Sequence, residues 1–137
     1  MPRDNIPAPK GKAKYEEIVK CGVDPLYFLK RYCYISHPKK GLIKFDTFPF
    51  QDECIKEFES HRFNIVLKSR QLGLSTICAG YCLWLALFQK EKNIVVLATR
   101  LDVAKNFLRK VLTMYDSLPD WVVLPKEKGR TVKSIEF

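Results

Sequence analysis

The chain has 137 residues, with 24 Lys+Arg against 15 Asp+Glu and a formal charge of +9. An apolar fraction of 47% beside 28% charged residues can fill a core, which excludes wholesale disorder, and the length fits one domain and excludes two full ones. No apolar run reaches the roughly 18 residues of a membrane helix, and the opening MPRDNIPAPKGK has no apolar signal core, so a soluble, basic, intracellular protein with no membrane partner is expected.

Residues 1–13 read as a basic, disordered arm, with Pro2, Pro7 and Pro9 and no periodicity. A first helix is expected from about Lys14 to Cys21, closed by Gly22. Asp24 then caps a second helix with Pro25 at its first position, and Leu26, Leu29 and Cys33 fall on one candidate buried face. His37-Pro38-Lys39-Lys40-Gly41 is a turn cluster, Phe48-Pro49-Phe50 a second break, and Asp52 to Ser60 a short helix with Ile55 and Phe58 on one side. Residues 14–62 are thus expected to form an N-terminal helical segment.

From residue 63 the pattern changes. Phe63-Asn64-Ile65-Val66-Leu67 is a short β-branched strand, and Leu74 to Phe88 has the apolar content of a buried helix. Asn93 to Thr99 is almost continuously apolar, as strands covered on both faces are. Leu101 to Leu118 has helical spacing at Val103, Phe107, Leu108, Val111, Leu112 and Tyr115, with Asp102 placed to cap the first turn and Leu118-Pro119-Asp120 to end it. Thr131 to Phe137 reads as one more strand. Strand–loop–helix–strand–helix is the βαβ order, so residues 63–137 are expected to build an α/β fold on a parallel sheet.

Charge and cysteine usage add little by themselves. The positive excess is largest at the front, where residues 1–50 hold ten basic and five acidic groups, in runs such as Lys10-Gly11-Lys12-Ala13-Lys14 and Pro38-Lys39-Lys40. Such runs suit phosphate-bearing partners, and suit a solvated surface equally well. Five cysteines without a signal peptide argue against a disulfide framework; Cys33 and His37, with Cys21 and Cys54 nearby, raise zinc, but no CxxC pair exists and buried thiols are expected.

The informative segment is Lys68-Ser69-Arg70-Gln71-Leu72-Gly73-Leu74-Ser75-Thr76, between the first strand and its helix. Phosphate loops occupy that position because the first N–H groups of a helix are unsatisfied and point toward its N-terminus, where the dipole also favours an anion. Aligned on Gly73 of the pattern GxxxxGK[ST], Ser75 falls at the Mg²⁺-binding hydroxyl, Leu74 replaces the phosphate-binding lysine and Lys68 replaces the first glycine. The pattern therefore fails as a string, although Lys68 or Arg70 could supply the cation the phosphates need. A βαβ turn with incidental basic residues is the other reading.

Three segments carry a resemblance: DPLYFLKRYCYISHPKKGLIKFDTFPFQDECI, NIVLKSRQLGLST and NIVVLATRLDVAKNFL. Together they resemble the large terminase subunit of tailed double-stranded DNA bacteriophages, the ATP-driven motor that packages the genome. The match runs from Asp24 to Leu108, more faintly from about 14 to 137. Members of that family vary the loop lysine, and several place one at the start of the loop, as Lys68 is here. The resemblance implies a P-loop NTPase core of RecA or helicase-like type, with ATP and Mg²⁺ as cofactors. It implies that Gln51 recognises adenine, with Phe48 or Phe50 stacking on the ring, and that Lys68, Ser69, Arg70, Gln71, Leu72, Gly73, Leu74, Ser75 and Thr76 form the phosphate loop. Within the loop it implies catalytic roles for Lys68 and for Arg70, which would sense the γ-phosphate, and a metal-ligand role for Ser75. Thr99 and Arg100 would couple the ATP and DNA sites. Implied partners are double-stranded DNA, a phage portal and the small terminase subunit; the implied location is the cytoplasm of an infected bacterium.

Hydrolysis also needs carboxylates that hold Mg²⁺ and orient water. In the resembled family they end a later strand; here VVLPKEKG comes closest, but Pro125 intervenes and Lys126 occupies the acidic position. The nuclease domain is also absent, and Ser134-Ile135-Glu136-Phe137 looks like a strand cut before its partner. An N-terminal part of such a motor is therefore expected, inactive by itself, with the missing C-terminal part as a partner. A non-catalytic DNA-binding or assembly module that keeps the βαβ frame is the alternative, and a helicase-like ATPase fragment the third.

Overall fold

Helix α4 (Leu74–Phe88) is the most apolar element and organises the rest. Leu74, Ile77, Ala79, Gly80, Leu83, Trp84 and Leu87 are buried, each large side chain contributing about 1.5–3 kcal/mol by its removal from water. The computed structural model of the chain describes residues 6–123, 128–131 and 133–136. Within them α4 packs against α2 (Pro25–Tyr32), α3 (Pro49–Ser60) and α5 (Leu101–Ser117), and α2 packs in turn on α1 (Lys12–Val23). Helices α2 and α4 meet at Gly80, where a Cβ would lie 2.6 Å from Leu29 Cδ2. The Trp84 indole N–H donates to the Cys21 carbonyl at 2.8 Å, which fastens α4 to α1. One apolar cluster therefore joins Cys21, Phe28, Leu29, Tyr32 and Ile55 to Ile77, Leu83 and Met114, across the division expected at residue 62.

The local signals account for most of the helices. Asp24 accepts from the Tyr27 N–H at 3.0 Å and Pro25 opens α2, as expected. Gly22 does not end α1, which runs on to Val23, and a Cβ at Gly22 would meet the Phe88 ring only in ordinary contact, at 3.4 Å. Helix α3 begins at Pro49 rather than Asp52, since proline lacks the N–H that a first turn leaves unbonded. Asp102 does not cap α5: it lies in the first turn and pairs with Arg100 at 3.1 Å. In the expected arm, Lys12 and Ala13 belong to α1 and the Ile6 carbonyl accepts from the Trp121 indole at 2.9 Å; residues 1–5 lie outside the described residues.

The β structure departs from expectation. A mixed helix–strand fold is present, but no parallel sheet forms among the described residues. Instead β1 (Tyr34–His37) and β2 (Gly41–Lys44) make an antiparallel hairpin around the expected turn, in the register Tyr34↔Lys44 to His37↔Gly41. Two-residue strands β3 (Gly129–Arg130) and β4 (Ile135–Glu136) make a second pair; of the strand expected over 131–137, residues 132 and 137 lie outside the described set. Phe63–Leu67 and Asn93–Thr99 belong to no ladder. Their side chains nonetheless alternate: Ile65 is 100%, Val66 44% and Leu67 99% exposed, and Ile94, Val95, Val96 and Leu97 are 38%, 78%, 38% and 90% exposed. That period of two is the pattern of an extended strand with one row leaning on the helices and the other bare. The first run lines a cleft beside α3 and the second a separate cleft beside α4 and α5. The two do not bond to each other, and no described strand pairs with either, although Ile135 of β4 lines the same cleft as residues 93–96; the expected sheet therefore does not close.

Two buried-surface details have measurable consequences. The Glu17 carboxylate accepts from the Tyr27 and Tyr32 hydroxyls, each at 2.6 Å, and these bonds hold its pKa below the ordinary 4.5. The same bond pushes Tyr27 up to about 12. Burial pushes the Cys21 thiol up to about 12 and raises Cys33 too, so both are protonated core residues; among the described residues no group of His, Cys, Asp and Glu could hold a metal ion. No described helix is long and apolar enough to cross a membrane.

Because the Glu17 pKa is lowered by folding, its contribution is present above pH 4.5 and is lost as pH falls through the folded value. Urea denaturation of the wild type should therefore show stability dropping below pH 4.5, with a flatter profile for Glu17→Gln; parallel profiles would refute the assignment. Leu29→Ala should cost about 2–5 kcal/mol through the cavity left against Gly80, whereas Ile65→Ala should change stability by less than about 0.5 kcal/mol. Equal losses would contradict the exposure of residues 63–67.

Candidate functional site

The 68–76 loop is shaped by two left-handed residues and one buried amide. Gln71 has φ +63° and Gly73 φ +69°, so the chain turns sharply on both sides of Leu72. Such a conformation costs a residue with a Cβ about 1–2 kcal/mol, and Gly73 escapes it. Between them, the Leu72 carbonyl accepts from Gln51 Nε2 at 3.0 Å. Gln51 stands at the third position of α3, where its Oε1 accepts from the Phe48 N–H at 3.1 Å, one half of a capping box that Phe48 has no polar side chain to complete. The side chain is 3% exposed. Helix α3 is held in turn by Asp52, which accepts from Lys30 Nζ and Thr47 Oγ1. Burial alone would raise the Asp52 pKa, but these bonds and the Lys30 charge outweigh it and hold the carboxyl below its ordinary range.

Past the loop, Gly73 is the N-cap of α4, and its carbonyl accepts from the Thr76 and Ile77 N–H groups at 3.0 and 3.1 Å. The Leu74 and Ser75 N–H groups have no protein acceptor among the described residues. Leu74, in the position where a phosphate lysine was sought, is only 7% exposed and packs in the core. It gives the loop no cation, and the helix start is anchored by its burial. Ser75 is exposed in the first turn, and Thr76 is half-buried.

Cations come from three places. Lys68 and Arg70 are exposed on the loop and form no ion pair among the described residues. The third, Lys110 of α5, donates from Nζ to Thr76 Oγ1 at 3.2 Å. The sequence offered no signal for Lys110, which reads as part of the exposed face of a helix 34 residues away. Around the first turn of α4 lie the Leu74 and Ser75 amides, the Ser75 and Thr76 hydroxyls and Lys110, with Lys68 lining the cleft beside Leu74 and Arg70 exposed on the loop that leads in, a setting that favours an anion with several oxygens.

The expected residues do not all converge. Phe50 joins Lys68, Ser69, Leu72 and Leu74 in a cleft of about 570 Å³ under residues 64–69. Phe48 is stacked on Phe50, with ring centroids 5.7 Å apart and planes inclined by 6°, so the two exposed rings already share a face. Thr99 and Arg100 are elsewhere: Arg100 turns to Asp102, and among the described residues no hydrogen bond links either to the loop. Ser75 has one hydroxyl oxygen, and among the described residues no group of His, Cys, Asp and Glu able to hold a metal ion accompanies it. No family model matches the chain.

Gly73→Ala would impose a left-handed alanine whose Cβ lies 2.7 Å from Gln51 Nε2. A loss of about 1–3 kcal/mol is expected, from backbone strain and the displaced amide. Urea denaturation measures it; an unchanged midpoint would show that neither constraint operates.

Proposed function

We propose that this chain is the N-terminal part of a DNA-packaging ATPase of the large-terminase type from a tailed bacteriophage, binding ATP-Mg²⁺ at the 68–76 loop. The observation that carries the reading is the conjunction at the start of α4. Gly73 in the left-handed conformation opens a buried helix whose Leu74 and Ser75 amides meet no protein acceptor among the described residues, with Lys110 on Thr76 and with Lys68 and Arg70 exposed in the loop before it. Polyphosphate binding needs amides and cations converging on one point; the usual lysine at position 74 is only one way to provide the charge. Lys68, Arg70 and Lys110 would neutralise the phosphate oxygens, and the Phe48–Phe50 pair would offer a flat apolar face to a base. Ser75 would give one oxygen to Mg²⁺, whose remaining positions phosphates and water commonly fill. Bound Mg²⁺ would supply charge neutralisation at the β- and γ-phosphates.

The two bare apolar runs support the further proposal that this is one part of a larger sheet. Ile65, Leu67, Val95 and Leu97 expose the row that a doubly covered strand buries. The remaining strands and the water-orienting carboxylate would come from the C-terminal part of the same protein. Double-stranded DNA, a portal and a small terminase subunit are the proposed partners, in the cytoplasm of the infected host. A non-catalytic DNA-binding or assembly module is the second reading. It is favoured by the exposed Lys39 and Lys40 at the tip of the β1–β2 hairpin, a position suited to DNA phosphates.

Calorimetric titration of residues 1–137 with a non-hydrolysable ATP analogue and Mg²⁺ separates the two. Saturable binding is expected, weakened about tenfold by Arg70→Ala and by Lys110→Ala, as loss of a charge-assisted contact implies. ATP turnover by the same chain should be negligible. No binding by the wild type would favour the module reading, and robust turnover abolished by Arg70→Ala would refute the fragment proposal.

A further inference from the structure

We infer that Gln51 is a positioning residue that holds the phosphate loop in shape and does not read the base, so that the site selects a polyphosphate rather than adenine through this residue. The inference rests on the phosphate-loop reading above. A glutamine amide has a carbonyl to accept and an NH₂ to donate. Here each has a fixed protein partner: Oε1 faces the Phe48 N–H, and Nε2 faces the Leu72 carbonyl. A backbone donor on one side and a backbone acceptor on the other permit one orientation of the amide. With 3% of its surface exposed, the side chain has no open edge to offer a purine. Reaching a base would require it to leave both bonds and the space behind Gly73, where its Nε2 lies 2.7 Å from the site of a Cβ.

The tie acts where the loop is most demanding. Leu72 lies between the two left-handed residues, and fixing its carbonyl fixes the peptide that leads into Gly73 and the first amides of α4. The other end of the amide fixes the start of α3 at Phe48, next to the stacked Phe48–Phe50 pair. One side chain therefore joins the aromatic shelf to the loop across 21 residues of sequence. A ligand held by the loop amides gains from that tie whatever its base.

The test compares wild type, Gln51→Met and Gln51→Glu in the full 137-residue chain. The methionine is neutral and unbranched and removes both bonds. The glutamate retains the acceptor for the Phe48 N–H, keeping the start of α3, and places an oxygen against the Leu72 carbonyl. Each protein is titrated with non-hydrolysable ATP and GTP analogues and with inorganic tripolyphosphate, all with Mg²⁺. Both variants should weaken all three ligands by a similar factor, about tenfold, while the ATP-to-GTP ratio stays within about twofold of the wild type. Loss confined to the ATP analogue, or undiminished binding of all three, would overturn the inference. Amide hydrogen exchange over residues 70–75 without ligand tests the tie separately. Faster exchange in Gln51→Glu than in wild type supports it, and unchanged exchange overturns it. Should the wild type bind none of the three ligands while that exchange still accelerates, the phosphate-loop reading fails and the tie survives as a structural one.

Discussion

Helix α4 has too little polar surface to stand in water on any of its inner faces, and the placement of nearly every other element follows from covering it. Helices α2, α3 and α5 each contribute an apolar side to it, and Gly80 lets Leu29 approach to a distance that any side chain would prevent. The Trp84–Cys21 hydrogen bond uses the one polar atom of the largest side chain on that helix to fasten α1 as well. Because α4 begins at Gly73, the same burial that stabilises the fold also sets the position of the loop in front of it. A core residue, Leu74, occupies the place where phosphate loops usually carry a lysine. At that position the side chain serves packing and brings no charge to the loop.

Lys68 and Arg70 are exposed on the loop and Lys110 reaches Thr76 from α5, so the positive charges around the start of α4 come from separate elements and not from the helix that bears the amides. A field built this way depends on the packing of α5 on α4, which ties the electrostatics of the site to the apolar contacts of Val111 and Met114 behind it. The loop itself is held from the opposite side by Gln51. Its amide is polar and buried, and it is stable there because each of its ends meets a backbone group.

The helices were legible because their signals are local. Asp24 followed by Pro25, the apolar run from Leu74 to Phe88 and the spacing of residues 101–118 each involve neighbours within a few turns, and those elements form within a residue or so of the expected bounds. The β1–β2 hairpin was half legible: its turn was marked by Pro38 and Gly41, while its strands are short and mix polar with apolar residues. The runs 63–67 and 93–99 carry strand composition and show strand-like alternation of exposure, but a sheet requires a hydrogen-bonded partner strand, and neither run has one among the described residues. Composition reports what a segment prefers, and pairing depends on what lies beside it.

Alone, the sequence determined that the helices of the described residues exist and roughly where they lie, with the turn residues and the basic loop preceding α4, because proline, the Asp24 cap and hydrophobic periodicity act over a few residues. Only the tertiary structure decided that Gln51 faces Leu72 and not solvent, that Lys110 reaches Thr76, and that Arg100 turns away to Asp102. Those contacts either join residues 21 and 34 positions apart or depend on which way a helix start points. Their free energies come from packing directions that no local pattern encodes. Length and charge set the limits within which the chain could act, and the folding of α5 against α4 brought Lys110 to the helix start that the loop precedes.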